Sequence, residues 1–471
     1  MSRSARAWTL ALTSVAFLMV TLDALVVVTA LPAIHRELGA DLAQLEWTVN
    51  AFTLAFAAAI ITAAALGDRF GRRRIFVIGL GVFTAASAAC ALAPDAGLLI
   101  AARAVQGLGA AMVMPLSLTI LVSAFPPERR GAIVGIWGAL GGLGVALGPL
   151  VGGALTQGLD WHWIFWVNGP IGLVAIVLSR IFLTETRGPA TRLDLVGVAL
   201  VGGGATGIVW GLIRAGEIGW GASEFVATLA AGLALLVAFI IWEARATEPM
   251  LPLRLFRSRA FAAALASGFF QAGSVFSAAF LLAQYFQLGL GYSPLEGGLR
   301  VLPWTATPFF VAPIGGALSD RIGRRPLLVV GLLLQALGLA WLAAIARIDL
   351  DYTLMLPPLV LAGIGISLAL PVSPTAVLST VSPADVGKAS GVNSTVQRFG
   401  SAFAIAIAAA VFAANGQLGS AAGFAAGFRP ALTVVAGLSL LGAVAALGVG
   451  GPRVVARTAE SPIAARAAAV E

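Results

Sequence analysis

The chain has 471 residues, of which 59% are hydrophobic and 11% are charged, and its mean hydropathy is +0.97. Soluble domains carry about 25% charged residues, so this composition excludes a soluble protein and indicates a polytopic membrane protein. One cysteine and two widely separated histidines exclude a disulfide framework and offer no metal-ligand cluster. The formal net charge of +8 would suit a nucleic-acid partner, and its distribution along the chain decides that question.

Apolar windows long enough to cross a bilayer as helices of about 20 residues follow one another along the chain. We predict fourteen spans, at residues 10–31, 47–66, 75–93, 98–124, 131–155, 163–183, 195–213, 225–242, 260–284, 296–318, 327–346, 354–380, 390–413 and 430–449. The first window is too long for a secretory signal and lacks a small-residue cleavage site, so we expect it to be retained. The predicted fold class is therefore all-α integral membrane.

The basic residues are distributed unevenly over the loops. With the N-terminus inside, most of the 29 lysines and arginines fall in inner segments, as the positive-inside rule requires. An even number of spans then places both termini in the cytoplasm. Because the basic charge is a topology signal, we predict the lipid bilayer as a partner and no nucleic acid.

One acidic residue, Asp23, lies inside the first window, LALTSVAFLMVTLDALVVVTAL. A carboxylate at that depth costs at least about 2.5 kcal/mol. In this layout Asp23 is the only acid that does not lie near a span end. Intramembrane ionisable groups usually mark pathways or proton relays, so we predict that Asp23 takes up and releases a proton. The alternative is a structural aspartate that only pairs with a basic residue.

A loop sequence occurs twice, as LGDRFGRR at 66–73 and LSDRIGRR at 318–325. A second set of matching positions follows in the same order: Pro127, Gly131 and Gly135, then Pro383, Gly387 and Gly391. Parallel repeats in transporters form two similar bundles around a midplane site. We predict an N-terminal six-helix bundle at 1–190, two linking transmembrane helices with a basic inner loop at 191–259, a C-terminal six-helix bundle at 260–450 and a short cytoplasmic tail at 451–471.

The two loops resemble the signature loop of the major facilitator superfamily and its second-half copy. Other stretches resemble motifs of its 14-span drug:proton antiporter branch: 22–32 in the first span, 103–109 in the fourth, 144–153 in the fifth and 161–172 around the sixth. The resemblance implies a multidrug efflux transporter that exports small hydrophobic compounds by alternating access, driven by the proton gradient without a cofactor. We expect it to act as a monomer in the bacterial inner (plasma) membrane.

Three features depart from the pattern of this branch. Ala64 stands where the signature loop usually has glycine, and Leu25 and Val28 stand where family members commonly carry threonine and asparagine. The tenth span has no acid in its core, whereas some exporters of divalent cations use one there. The site is therefore expected to be unusually apolar, and dicationic substrates are not expected.

Arg103 lies at a depth that differs from that of Asp23 by roughly one helical turn, within reach of an arginine side chain. We predict that substrate disturbs this pair and thereby changes the protonation of Asp23; a static ion pair is the alternative. Gln106 shares a helix face with Arg103. It could tune the pair or form an interhelical hydrogen bond.

The fifth-span motif places Gly144, Gly148 and Gly152 on one helix face, with Pro149 and Gly153 beside them. Small residues let helices approach closely, and a proline permits a kink. This face is either ordinary tight packing or a moving seam between the bundles that limits proton leak, and the sequence leaves both open.

The charged residues of the two signature loops are predicted to form an inner gate that closes in the outward-open state and opens in the inward-open state. The alternative is that they mark topology alone. The predicted gate residues are Asp68, Arg69, Arg72, Arg73, Asp320, Arg321, Arg324 and Arg325.

The substrate pocket is predicted to be large and apolar with few polar groups. Its candidate lining residues are Asn50, Phe52, Gln106, Trp137, Phe269, Gln271, Phe276, Gln284, Trp304, Asn393 and Gln397. Arg300 and Arg398 are expected to snorkel, Arg300 to the outer face and Arg398 to the inner face.

Two other functions remain open at this stage. Within the transporter class, the chain could export one metabolite, such as an endogenous antibiotic. From another class, it could be a receptor or a membrane enzyme built on a transporter fold. An enzyme would need converging catalytic side chains, and we find none in the sequence, so we do not predict an enzyme.

Overall fold

The computed structural model describes residues 3–188, 193–247, 249–382, 385–418 and 420–450. The side chains of Arg3, Pro127, Glu128, Gly131, Glu217 and Asp320 also lie outside the described part, as do Pro383 and the predicted tail at 451–471. Fourteen helical spans within these residues are long and apolar enough to cross a membrane, which confirms the predicted all-α membrane fold and the number of spans.

Seven helices build the six spans of the N-terminal bundle, because a break at Val167 divides the sixth span into α6 and α7. They are α1 (Arg3–Leu38), α2 (Leu42–Phe70), α3 (Arg72–Ala91), α4 (Ala96–Ala124), α5 (Pro127–Gly158), α6 (Trp163–Trp166) and α7 (Asn168–Phe182). Side-chain caps fix two of the starts. Asp41 and Gln44 form a capping box on α2, and Asp95 accepts a hydrogen bond from Leu98 N on α4.

Two helices and a short 3₁₀ turn link the bundles: α8 (Leu195–Ile218), α9 (Ser223–Arg245) and the turn Leu253–Arg257. α8 packs against α9 and also against α2 of the N-terminal bundle. Arg254 in the turn pairs with Asp385 (Nη1–Oδ2, 3.0 Å), and this partner holds the pKa of Asp385 below its ordinary value. The turn is therefore fastened to the C-terminal bundle.

The C-terminal bundle has eight helices in six spans, because the tenth and twelfth spans are each divided in two. They are α10 (Arg259–Gln284), which continues into a π-helical turn (Tyr285–Gly289), α11 (Pro294–Thr305), α12 (Thr307–Ile322), α13 (Arg324–Ile345), α14 (Tyr352–Ala369), α15 (Val372–Leu378), α16 (Val386–Asn415) and α17 (Ala421–Ala446). Tight α1–α5 packing in the first bundle corresponds to α10–α16 packing in the second.

The last span begins earlier than predicted. Arg429, which the predicted layout assigns to an outer loop, lies within α17, where its Nη2 donates to Ala344 O at 3.4 Å. Arg429 followed by Pro430 interrupts the apolar window, so hydropathy starts the span after them. The stretch before Arg429 is rich in alanine, a strong helix former, and is helical as well. The hydropathy pattern therefore placed the start of this helix too late.

The two signature loops have the same backbone form. Gly71 has φ 111° and Gly323 has φ 90°, and each lies directly before the next helix. These angles favour glycine because it lacks a Cβ. The repeat seen in the sequence is thus a repeat in structure. We call the end of the helices that carries these loops the basic end, and the other the opposite end.

The hydrophobic core is continuous between the bundles at the opposite end, and a lateral cluster also joins α2, α8 and α16. At the opposite end one cluster joins Leu31 of α1 with Phe286 and Trp304 of the C-terminal bundle. Towards the basic end, Phe76 belongs to a cluster of N-terminal helices, whereas Leu328 belongs to a cluster built from the C-terminal bundle and the linking turn. The bundles are therefore closed against each other at the opposite end.

At the basic end, α5 and α12 are separated from the facing bundle. A Cβ placed on Gly135, Gly138 or Gly142 of α5 would meet no atom within 4 Å. On α12, the side chains of Phe310 and Ile314 are 76% and 62% exposed. The space between the bundles consequently opens at the basic end.

Candidate functional site

Asp23 of α1 and Arg103 of α4 form an ion pair in the centre of the N-terminal bundle. Each side chain is 1% exposed, and Arg103 Nη1 lies 2.5 Å from Asp23 Oδ2. This distance confirms the predicted proximity of the two residues.

Arg103 is fixed on every side. Its Nε donates to the carbonyl oxygen of Thr48 (3.1 Å), and its Nη1 donates to Gln106 Oε1 (2.6 Å). The guanidinium carbon lies 4.4 Å from the ring centroid of Phe52 and 5.7 Å from that of Phe165. A planar fork suits these simultaneous contacts, and the single ammonium of a lysine could not reproduce them.

Two amides complete the shell around the carboxylate. Gln106 Nε2 and Asn168 Nδ2 each donate to Asp23 Oδ1 at 2.9 Å. Both also donate to Ser87 Oγ, which in turn donates to the carbonyl of Phe165. Asp23 thus accepts three hydrogen bonds from side chains of α4 and α7, all within one bundle.

Asn168 is a residue of this cluster to which sequence reasoning assigned no role. It is the first residue of α7, and Gly172 one turn later packs against Thr84 of α3, where a Cβ would collide with the threonine side chain. That close approach brings Asn168 beside Ser87, one turn further along α3. In the sequence, the sign that pointed to Asn168 was a polar side chain at the break in the sixth span.

The cluster ties three helices together through one carboxylate. Asp23 of α1 accepts hydrogen bonds from Arg103 and Gln106 of α4 and from Asn168 of α7. A change in the charge of Asp23 would therefore alter the contacts that α1 makes with α4 and α7.

Asn168→Ala is expected to slow transport about tenfold, because one hydrogen bond to a charged group is lost. The measurement is the initial rate of transport at saturating substrate. Asn415→Ala is the matched control, since Asn415 donates only to its own helix at Val411 O. Equal rates for Asn168→Ala and the parent would contradict a role for Asn168.

The fifth-span glycines divide into two groups. A Cβ on Gly144, Gly148 or Gly152 would collide with α1. These three therefore provide tight packing within the N-terminal bundle. A Cβ on Gly153 would collide with the backbone of Pro294 in the other bundle. The inter-bundle seam is thus built by the end of the motif rather than by its repeating face.

This seam has a second glycine on its other side. A Cβ on Gly298 of α11 would collide with the carbonyl of Pro149. Nearby, Leu295 N donates to Gln157 Oε1 (3.1 Å), and Gln287 Nε2 donates to Thr29 O (2.8 Å). Backbone-to-backbone approach and two hydrogen bonds therefore close the opposite end.

The first signature loop forms its ion pairs within its own bundle. Arg72 Nε lies 2.7 Å from Asp68 Oδ1, and Arg73 Nε lies 3.7 Å from Glu185 Oε2. Glu185 also accepts from the backbone nitrogens of Arg73 and Arg74 at the start of α3. Sequence reasoning missed Glu185, because nothing in the sequence places the segment after α7 on this loop.

The second signature loop is not joined to the first. Among the described side chains, Arg321, Arg324 and Arg325 have no ion pair, and the side chain of Asp320 lies outside the described residues. Arg69 lies over the ring of its neighbour Phe70 at 5.2 Å. No ion pair between described side chains therefore bridges the two loops across the basic end.

The predicted pocket residues do not form one pocket. Trp304 lines a small apolar chamber with Leu25 and Val28, and Gln106 belongs to the Asp23 cluster. Three others are buried elsewhere in the bundles: Asn50 on α2, and Gln271 and Gln284 on α10.

Four predicted pocket residues contact neighbours instead. Asn393 Oδ1 accepts from Gln397 Nε2 on the same helix, at 3.2 Å. Trp137 stacks on Phe17 of α1, with ring centroids 3.9 Å apart. Phe269 packs in the lateral cluster that includes α8.

Two acids near helix ends are buried by the protein: Glu46, in the second turn of α2, is 2% exposed, and Glu243, near the end of α9, is 3% exposed. One basic residue differs from the expectation. Arg398 does not snorkel to the basic end. Its guanidinium lies 4.5 Å from the ring centroid of Phe56, which is midway along α2. Arg300, by contrast, remains near the opposite end and lies 3.9 Å from Glu296.

A cleft of about 770 Å³ opens between α2, α4 and α8. Its walls include Ala51, Ala104, Gly202 and Trp210, and Arg214 lies at one end. None of its lining residues belongs to the C-terminal bundle, and it includes none of the predicted pocket residues.

Two six-helix bundles that meet at one end, separate at the other and bury an ion pair define a membrane transporter. The sequence profile of the Major Facilitator Superfamily matches residues 13–404 and 264–469. The chain belongs to this superfamily, which confirms the resemblance in its signature loops.

Curated relatives with similar sequences have names that refer to resistance and export. The chain is 36% identical to the tetracenomycin C resistance and export protein of Streptomyces glaucescens, over 84% of this chain and 74% of that protein. It is 37% identical to the puromycin resistance protein of Streptomyces alboniger, over 85% and 80%. It is 36% identical to the multidrug resistance protein Stp of Mycobacterium tuberculosis, over 83% and 73%.

Solved structures support the fold. A bacterial homologue of the lysosomal transporter Spinster matches with a TM-score of 0.67 at 18% identity, over 95% of this chain and 98% of that chain. A peptide transporter solved with sulfate matches with a TM-score of 0.67 at 17% identity, over 94% of each chain. At such low identity these structures show a shared architecture alone.

Proposed function

We propose that the protein is a proton-coupled antiporter that exports hydrophobic drug-like compounds from a bacterial cell by alternating access. The observation that carries the proposal is the Asp23–Arg103 pair, a titratable group kept inside the membrane by three donors. Ionisable groups held there at such a cost usually serve ion pathways or relays. The names of the relatives supply the substrate class and the direction.

In this proposal the arginine-rich basic end faces the cytoplasm, as the positive-inside rule requires. The structure then corresponds to an inward-open state of a single chain in the inner membrane. A compound enters between the bundles from the cytoplasm or the inner leaflet. In this cycle Asp23 is protonated when the compound arrives. The arrival rearranges α1, α4 and α7, Asp23 releases its proton to the cytoplasm and forms the ion pair with Arg103, and the bundles rock to open the opposite end.

Binding a proton from outside then resets the cycle. Protonation of Asp23 removes the charge that holds Arg103, and the donor shell loosens. The seam at Gly153 and Gly298 closes again as the basic end opens. The signature-loop arginines, unpaired across the bundles here, would form the gate at the basic end in the other state.

A second candidate is a dedicated exporter of one metabolite. The specific observation is that several relatives carry the name of a single antibiotic, such as puromycin or methylenomycin A. The proton step would be the same, and only the breadth of substrates would differ.

The test uses inside-out vesicles acidified by respiration, with and without the protein. A panel of neutral compounds, monovalent lipophilic cations and organic anions is added, and the pH gradient is followed by a fluorescent dye. Discharge by several compounds, only in vesicles that contain the protein, is the expected result. Discharge by one compound would favour the dedicated exporter, and discharge by none would refute proton antiport for that panel.

A further inference from the structure

Arg398 is a charged side chain between the two bundles that the proton site does not use. Its guanidinium carbon lies 4.5 Å from the ring centroid of Phe56 on α2 and 5.9 Å from that of Phe276 on α10. Its Nη2 lies 4.0 Å from the sulfur of Met114 on α4. Arg398 therefore reaches from the C-terminal bundle to two helices of the N-terminal bundle.

No carboxylate neutralises this charge. Among the described side chains, none of the ion pairs includes Arg398, and its one polar contact is the thioether of Met114. Aromatic faces offset part of the cost of a cation inside the membrane. Arginine inside a transmembrane segment is rare unless it pairs or lines a substrate or ion pathway.

The helix positions direct Arg398 into the space between the bundles. On α16, Thr395 donates to Ala57 O of α2 (3.4 Å), and a Cβ on Gly400 would collide with Phe269 O of α10. At 3.6 residues per turn, Arg398 lies about 60° from Thr395 and about 160° from Gly400 around the helix, so it lies on the side of α16 that faces α2. Its side chain is only partly buried, so it remains accessible from that space.

A polar stripe leads to Arg398 from the basic end. Ser390 and Ser394 precede it at spacings of four, so the three residues share one face of α16. All three are partly exposed, whereas the neighbouring Ala389 and Val392 are buried. This face of α16 thus carries two serine hydroxyls, followed by the guanidinium of Arg398 between two phenyl rings.

Asp23 is unavailable as an anchor for a cationic compound in this state. Both of its oxygens are occupied by side chains of its own bundle. In the part of the chain that the structure describes, the intramembrane charge that faces the opening without an ionic partner is therefore the positive charge of Arg398.

We propose that Arg398 binds the acidic group of the exported compound, and that the substrates are hydrophobic aromatic compounds with one carboxylate or phenolate. This inference rests on the proposed export function. The guanidinium would donate two parallel hydrogen bonds to the anion. Phe276, which is partly exposed, would contact its aromatic body, while the buried ring of Phe56 supports the guanidinium from behind.

The experiment measures binding of three probes with one aromatic scaffold to the purified protein: 1-pyrenebutyrate, its methyl ester and 1-pyrenebutylamine. We expect the parent to bind the carboxylate about tenfold more tightly than the ester, and the amine least. Arg398→Gln should remove the preference for the carboxylate and keep the affinity for the ester. Arg398→Lys should retain part of the preference.

Arg300→Gln is the matched control, because Arg300 lies near the opposite end over the ring of Tyr292. It should leave the order of the three affinities unchanged. Equal affinity of the parent for carboxylate and ester would overturn the proposal, as would an equal loss of both in Arg398→Gln. If Arg398→Gln does not fold, the parent ranking and Arg398→Lys decide.

Binding is measured without a proton gradient, so its outcome is separate from antiport. A carboxylate preference that depends on Arg398, together with no proton discharge by 1-pyrenebutyrate in vesicles, would support the anion site and contradict proton coupling. Discharge by the methyl ester without any carboxylate preference would support antiport and overturn the anion site.

Discussion

Asp23→Asn is expected to reduce compound-driven discharge of the pH gradient to the level of vesicles without the protein. The amide has nearly the shape of the carboxylate but carries no proton that it can release near neutral pH. Substrate binding and exchange of labelled for unlabelled compound without a gradient should survive, because these steps need no proton transfer. The loss of coupling with retained exchange would identify Asp23 as the proton carrier.

Asp95→Asn is the matched control for this experiment. Asp95 caps α4 by accepting a hydrogen bond from Leu98 N at 2.9 Å, and asparagine is an equally good cap. The control should therefore transport like the parent. Undiminished discharge in Asp23→Asn would place the proton elsewhere and remove the basis of the proposed mechanism. Loss of both discharge and exchange would indicate a structural role.

Gly153→Leu is expected to prevent closure of the opposite end. A Cβ at Gly153 would collide with the carbonyl of Pro294 and approach Leu295 Cα at 2.9 Å. These are backbone atoms, so no side-chain rotation can make room for the leucine. Overpacking of this kind costs about 1–3 kcal/mol, which would shift the population of the closed seam by about 5-fold to 150-fold.

The measurement is the distance between spin labels at Leu159 and Leu299, one on each side of the seam, in a background without Cys90. The variant should give a longer distance and a strongly reduced transport rate. Gly158→Leu is the control, because a Cβ there would meet no atom within 4 Å. An unchanged label distance in Gly153→Leu would show that the seam does not hold this end closed.

Features that depend on local composition could be predicted from the sequence. The number of spans follows from hydropathy, and the basic end follows from the arginines of the two signature loops. The Asp23–Arg103 pair was predictable because helix geometry converts sequence position into depth, and two buried opposite charges at similar depth must compensate each other.

Features that depend on tertiary contacts could not be predicted. Asn168 reaches Asp23 only because Gly172 lets α7 approach α3, and Glu185 reaches Arg73 only through the path of a loop. The direction of Arg398 depends on which face of α16 packs on α2. Sequence spacing shows which residues share a face, but not which neighbour that face meets.

The two halves of the chain, although they share a loop and a helix arrangement, have divided the intramembrane charges between them. Counted from the signature loops, the counterparts of Asp23 and Arg103 in the second half fall at or near Val275 and Met355, and the counterpart of Arg398 in the first half falls near Ala146. All three are uncharged. An ancestral gene duplication followed by specialisation explains this pattern. A dimer of two identical halves would contain either the Asp23–Arg103 site twice or the Arg398 site twice, but never both sites. Two diverged halves fused in one chain can carry both.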